Sequence, residues 1–486
     1  MLKSFSAMVV FVLLTSVCAA ESPFPPEQEQ AIHDIQNGNG HVFIFGPNGL
    51  PEGLRRDQRL DQLGRNAAVM KVMASASDSV LKRLSIFPRL QEVELRSVSP
   101  TDNWDELAKC RELRSINITN LSSRQEQAFE AIGQLPELEK LYFRDCDIPA
   151  SCYRHLTGLK KLKIFWVSSA KEPINDEAIE HIGQITSLTD LSVSLKDVTS
   201  LGMPHLGRLT NLDRLSLAAP LIQDDDLRHL SKMTKIKWLY FSASSLTGKG
   251  LAHLSDWEQL SVVTFYSGPK LNDDLWPSAA TLKRLHKLEI SGPTPQITGR
   301  GIESLDQHPE LGVLEIHGSN FTDEAFARFP NLPKLHWLEI TGSPHLTGTT
   351  LSALGDAPRL TIVNLSNNGL TDEGLSSLAK ANLPQLGLLQ LNHTKITDNG
   401  LTALAQIKTQ RDLQVQIQDC EVSGSTLGDL AKSPIMWLTL PKTMKHTVPG
   451  VQRFLEAPDK RVVINNETYN HKGLMLRKPS DPKSGK

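Results

Sequence analysis

Glu289, Glu315 and Glu339 each stand between a leucine and an isoleucine and recur about 24 residues apart. His286, His317 and His336 lie close to them in sequence. If each glutamate sits on its own strand, equivalent positions are about 4.8 Å apart, and an acidic stripe results. Like charges at that spacing repel, so the stripe favours a basic partner or a cation. A metal site is not expected, because carboxylates mounted on strands lack the dense oxygen shell that calcium takes. A second chemistry comes from aromatic residues. Trp238, Val262, Val313, Trp337, Ile362, Leu388 and Trp437 fall in a neighbouring column, with Tyr142, Phe165, Trp166, Tyr240 and Tyr266 nearby. Large apolar side chains on the open side of a sheet have no core to enter, and aromatics are common interface anchors. Aromatic platforms also suit sugar rings.

Catalytic chemistry finds no comparable support. The sequence contains no H-E-x-x-H, G-x-x-x-x-G-K-[ST], G-x-S-x-G or C-x-x-C. Ser79-Val80-Leu81-Lys82 fits S-x-x-K, but its companion motifs are missing. No catalytic residue, cofactor or metal is expected. A net charge of -2 and a pI near 6.7 give no electrostatic case for nucleic acid or anionic membranes.

The elements that hold these residues form a repeat. Its clearest copies are LPQLGLLQLNHTKITDNGLTALAQ, from Leu383 to Gln406, and APRLTIVNLSNNGLTDEGLSSLAK, from Ala357 to Lys380. The L-x-x-L-x-L part alternates and predicts a short strand with hydrophobes on one face. Such cores recur about fifteen times, from Leu90-Val93-Leu95 to Ile435-Leu438-Leu440. They include Leu159-Leu162-Ile164, which makes the spacing tighten after Leu141 and lengthen before Leu191. The T-D-x-G-L-x-x-L part predicts a helix. Thr247, Thr298, Thr322, Thr347, Thr371 and Thr397 are placed to accept N–H groups of a first turn. Leu375 with Leu378, and Leu401 with Leu404, share a helix face.

This unit resembles the leucine-rich repeat family in its ribonuclease-inhibitor-like form, common in exported bacterial repeat proteins. The resemblance implies an α/β fold: a right-handed solenoid or horseshoe with a parallel concave sheet and convex helices. It also implies a protein-binding role and carries no catalytic motif. Cys146 and Cys420 occupy the family's Asn/Cys position, where a buried thiol is expected. Ser319, Ser343, Pro220 and Pro293 stand there in other copies, which weakens any continuous asparagine ladder.

The 486 residues therefore divide as follows. Residues 1–20 read as a signal peptide, with Lys3, an apolar stretch from Met8 to Leu14, and small residues at Ala19 and Ala20. Residues 21–87 form an N-terminal cap, 88–442 the repeats, 443–471 a C-terminal cap and 472–486 a disordered basic tail. Arg461 to Ile464 reads as a last strand. A secreted or periplasmic protein follows, with no membrane insertion after signal cleavage. The expected function is non-enzymatic binding of a protein ligand through the concave face. Trp238, Tyr240, Tyr266, Trp337, Tyr142 and Trp166 are the anchors, and Glu289, Glu315 and Glu339 set charge preference. Alternatives are recognition of a polysaccharide or cell-envelope glycan, or the substrate-recognition arm of an enzyme complex such as a ubiquitin-ligase-like adaptor.

Overall fold

Hydrophobes at every second position, followed by hydrophobes three apart, recur throughout the chain and fold as alternating strands and helical turns. The computed structural model describes residues 22–45, 51–54, 68–75, 78–97, 103–121, 126–168, 173–242, 245–472 and 475–476. The expected signal peptide and nearly all of the basic tail lie outside them. The chain forms two compact units, Met1–Glu139 and Lys140–Lys486.

In the first unit, β1 (His41–Phe45) pairs antiparallel with β2 (Pro51–Gly53) and with β3 (Val69–Ser75). Beyond β3 come β4 (Glu92–Arg96) and β5 (Ser115–Thr119), both parallel. Strand β3 has no counterpart in the sequence reading. It joins Val72 to Val93 and Ile116 in one buried row. The helix Pro26–Asn37 buries Ile32 and Ile35. Gln36, also buried, donates from its amide to the Leu54 carbonyl at 3.0 Å.

The second unit is a leucine-rich repeat solenoid whose parallel sheet is interleaved with helices. Its strands are β6 (Lys140–Arg144), β7 (Ile164–Ser168), β8 (Asp190–Ser194), β9 (Arg214–Ala218), β10 (Trp238–Ser242), β11 (Val262–Ser267) and β12 (Lys287–Ile290). They continue as β13 (Val313–His317), β14 (Trp337–Thr341), β15 (Ile362–Asn364), β16 (Leu388–Gln390), β17 (Leu413–Gln416), β18 (Ile435–Thr439) and β19 (Arg461–Ile464). Each pairs in parallel with the next. Then β20 (Glu467–Tyr469) and β21 (Met475–Leu476) turn back antiparallel. The central leucines align: Leu288, Leu314, Leu338, Val363 and Leu389 are opposite one another and fully buried. Each such side chain contributes about 1.5–3 kcal/mol by leaving water.

One register differs from the sequence reading. The buried pair of β7 is Phe165 and Val167, not Leu162 and Ile164, and Trp166 rather than Lys163 stands opposite Tyr142 and Ser192. Leu159, Leu162 and Phe165 are all buried at intervals of three before the strand alternation begins, so the stretch offers two candidate starts. With Phe165 as the reference, the apparent irregularity between Leu141 and Leu191 disappears. Phe165 itself belongs to the core and not to the open face.

The expected threonine caps divide less cleanly than the sequence suggests. Thr322, Thr371 and Thr397 accept from the amides of Ala325, Gly374 and Asn399, and Thr298 from that of Arg300. Thr247, Thr298 and Thr347 donate their hydroxyls backward to Asp224, Asp273 and Asp323, each at 2.5 Å, and Thr397 does the same to Asp372. In the first three pairs the aspartate also accepts the threonine amide, at 3.1, 3.0 and 2.9 Å. These aspartates begin the helical turn of one repeat, so each bond ties that turn to the next repeat. Several of the turns are 3-10 rather than α, as at Asp224–Leu230 and Lys249–Leu254.

The Asn/Cys position carries a mixed ladder. Ser319 and Ser343 share a hydroxyl hydrogen bond at 2.8 Å, and the Asn368 side chain accepts from the Ser343 amide at 2.8 Å. Thr394 and Cys420 meet at 3.3 Å. Different side chains thus continue the line where a continuous asparagine ladder was not expected. Cys146 and Cys420 are buried there, as the resemblance implied.

Candidate functional site

Alternation puts three columns of side chains on the face of the second unit opposite its core. Trp238, Val262, Lys287, Val313, Trp337, Ile362 and Leu388 are successive partners in one of them. Tyr240, Thr264, Glu289, Glu315, Glu339, Asn364 and Gln390 are successive partners in the next. Tyr142 and Trp166 enter this second column from β6 and β7. Every expected site residue therefore lies on this face, in three linked groups.

The first group runs from β6 to β10. Tyr142 meets the edge of Trp166, with ring centroids 5.4 Å apart. Trp166 is 39% exposed and donates its indole N–H to Asp190 at 2.8 Å. Arg214 approaches the same carboxylate at 3.7 Å and lies 5.1 Å from the Trp238 ring centroid. Burial raises the pKa of Asp190 above the ordinary carboxylate value; the Trp166 bond and Arg214 oppose the shift without cancelling it. The indole of Trp238 is thereby covered on the arginine side.

The second group is the pair Tyr240 and Tyr266, whose rings stack with centroids 6.4 Å apart and planes 16° off parallel. A register shift after Phe241 gives β11 one extra residue, and Tyr266 occupies it. Its phenol is 52% exposed. Partial burial, then the charge of Glu289, pushes it above the usual phenol range. A stacked aromatic pair contributes about 0.5–1.5 kcal/mol beyond its buried area, so the platform is held before any ligand arrives.

The third group holds the glutamates, and here the charge expectation needs correction. Glu289, Glu315 and Glu339 are cross-strand neighbours, but they are not an unpaired row. Lys287 places its ammonium 3.1 Å from Glu289 and 2.7 Å from Glu315. Glu315 is only 8% exposed. Glu339 accepts from the Asn364 amide at 2.8 Å and the Trp337 indole at 3.3 Å, with His317 at 3.6 Å. Burial would lower the basicity of Lys287, but its bonds to Glu315 and Glu289 outweigh that and hold it above the ordinary lysine value. Lys287 stands two residues before Glu289, hence on the same face of the strand; that spacing was the signal in the sequence.

Two histidines stack beside this group. His286 and His336 have ring centroids 5.6 Å apart, and the intervening strand presents Gly312. A Cβ on Gly312 would come within 2.7 Å of the His286 ring and 2.8 Å of the His336 ring. A larger residue there would have to displace the two rings.

Among the described residues, no helix is long and apolar enough to cross a membrane. The leucine-rich repeat family model matches residues 358–379 and 388–405. No curated protein matches the sequence. Three solved structures are similar in fold. An internalin from Listeria monocytogenes is 19% identical, covers 70% of this chain and 86% of its own, and has a TM-score of 0.43. A leucine-rich repeat protein from Leptospira interrogans is 15% identical over 80% of this chain and 92% of its own, with a TM-score of 0.44. A chain of the Toll–Spatzle complex from Drosophila is 14% identical over 82% of this chain, with a TM-score of 0.50. The alignment spans 55% of that Drosophila chain. Residues 358–379 and 388–405 thus carry leucine-rich repeats.

Proposed function

We propose that this chain is a non-enzymatic, exported protein of the ribonuclease-inhibitor-like repeat type that binds a protein ligand through the open, concave face of its solenoid. The observation carrying this reading is the set of aromatic side chains held in register on that face: Trp166, Trp238, Tyr240, Tyr266 and Trp337. Their positions are fixed by bonds to Asp190, Arg214, Glu339 and each other. A surface ordered in advance loses little side-chain entropy on binding. A chain of the Toll–Spatzle complex has a similar fold, and a protein ligand for this chain is consistent with that likeness.

The glutamates act as a balanced polar border and not as a naked acidic stripe, because Lys287 neutralises part of their charge. The test is affinity capture with cross-linking from the exported fraction, comparing the native chain with Trp238→Ala/Tyr240→Ala. Anchors of this kind contribute about 2 kcal/mol or more each, so capture of the protein ligand should fall well over tenfold. Undiminished capture would remove both residues from the binding face. The mature N-terminus, found by mass spectrometry, should lie just after Ala19 or Ala20.

A further inference from the structure

Along the leading rim of the second unit, where its strands begin, three hollows adjoin one another. The first is bounded by Thr157, Lys160, Gln184, Ser187 and Asn211. The next shares Ser187 and Asn211 with it and adds Asp213, Lys235, Lys237 and Gln259. The third shares Lys237 and Gln259, extends to Lys283, Arg284 and Glu310, and encloses about 1130 Å³. Shared walls make these hollows one elongated groove along the rim, crossing successive repeats.

The groove carries an excess of positive charge. Lys160, Lys235, Lys237, Lys283 and Arg284 line it, against Asp213, Glu258 and Glu310. Of these acids, Glu310 is already committed: Lys334 lies 2.7 Å from both of its carboxylate oxygens and holds it below the ordinary range. No carboxylate is within ion-pair distance of Lys237 or Arg284 among the described residues. Ser261 and Gln259 supply a hydroxyl and an amide between the cations, while Ser187, Thr281 and Asn211 already donate to the carbonyls of Leu162, Ser278 and Thr186. The aromatics of the largest hollow are buried or already beside a cation. Trp257 is buried, and Trp238 has Arg214 at 5.1 Å and Lys237 at 5.9 Å from its ring centroid. A glycan would want an exposed ring to stack upon; an extended peptide needs only cations and hydrogen-bonding groups at intervals.

We infer that this rim groove seats an extended acidic peptide segment, presented by the protein ligand whose body occupies the open face. The inference rests on the reading of a protein ligand, and it adds a second contact of opposite charge logic to the first. Electrostatic complementarity of this kind raises the association rate and fixes the register of a partner.

The experiment uses the full chain and a fluorescent dodecaglutamate peptide, read by anisotropy at low ionic strength. Binding is expected, weakening as salt is added because the contact is solvent-exposed. Lys237→Glu/Arg284→Glu should weaken it by about tenfold or more, and Lys237→Gln/Arg284→Gln by less. Lys380→Glu/Lys395→Glu makes the same change of net charge on exposed residues outside the groove and should leave binding nearly unchanged. Circular dichroism establishes that each variant is folded. The inference is overturned if dodecaglutamate does not bind, if the two reversal variants weaken it equally, or if a uronic-acid oligosaccharide binds more tightly. Because the probe needs no partner, failure here leaves the open-face reading standing. Loss of that reading appears separately, in the capture experiment with Trp238 and Tyr240.

Discussion

Asp372 is bonded to the repeat that follows its own: its carboxylate accepts from the Thr397 amide at 2.8 Å and from the Thr397 hydroxyl at 2.7 Å. The same relationship joins Asp176 to Thr199. A solenoid is stabilised by contacts between neighbours, so a bond of this kind adds to the interface term and not to the repeat itself. Asp372→Ala leaves a half-buried amide and hydroxyl without their acceptor and should cost about 1–3 kcal/mol. Urea unfolding measures the loss. Glu373→Ala, at the exposed adjacent position, should remain within about 0.5 kcal/mol of the native chain.

The last T-D aspartate gives the acid dependence of this ladder. Burial works to raise the Asp398 carboxyl, but bonds from Ser423, Gly424 and Thr426 outweigh it and hold the group below the ordinary carboxylate range. A depressed folded value means the unfolded chain takes up the proton first. Its stabilisation is therefore present above the unfolded value near 3.8 and lost as pH falls through the lower folded value. Asp398→Asn should be less stable than the native chain at neutral pH, and the difference should shrink below about pH 4. Equal differences at pH 7 and pH 3 would contradict this linkage.

The strands were legible because leucine alternation has one structural solution, and the register of β10 to β16 follows from it apart from the extra residue at Tyr266. Register failed at β7, where hydrophobes at intervals of three run into hydrophobes at intervals of two. The aspartate ladder was not legible in the same way. A T-D pair reads locally as a cap, and only stacking brings Thr298 against Asp273 of the repeat before it. The site was half legible: the aromatics and glutamates could be assigned to one face, but the neutralising role of Lys287 depends on which rotamer its long chain adopts. The rim groove arises from loops whose side chains share no periodic pattern.

Lys287 ties Glu289 to Glu315, and Glu315 has little access to water. Lys287→Met removes the counter-charge while keeping the apolar stem. Breaking a buried pair costs about 3–5 kcal/mol; Lys287 is half-buried, so roughly half of that is expected at pH 7. The raised lysine value sets a pH limit on the contribution of the native pair. Its stabilisation is complete below the unfolded value of 10.5 and lost as pH rises through the higher folded value. Guanidinium unfolding of the native chain and the variant at neutral and alkaline pH measures that loss.

Gly312 offers a test of how firmly the open face is ordered. Gly312→Ala inserts a methyl group against both His286 and His336, at distances that require the rings to move. Overpacking of this sort costs about 1–3 kcal/mol. Removing one ring should relieve it, so Gly312→Ala/His286→Ala should be more stable than the sum of the two single changes allows. A strictly additive double-mutant cycle would mean that the imidazole pair does not constrain the strand.

Thiol reactivity can report on each unit separately, because Cys110 belongs to the first unit and Cys420 to the second. Both are buried free thiols. Burial, with a smaller push from Glu106, takes the Cys110 thiol up to about 12. Burial likewise raises Cys420 despite its hydrogen bond with Thr394. The thiolate is the reacting species, so neither residue should be labelled by iodoacetamide at pH 8 while its unit is folded. Labelling should begin only as the surrounding structure opens, at a rate that tracks the local unfolding equilibrium. Mass spectrometry across a urea series then distinguishes the two residues. Simultaneous labelling would mean the units unfold as one. Prior labelling of Cys110 would place the lower stability in the first unit, whose parallel strands are fewer.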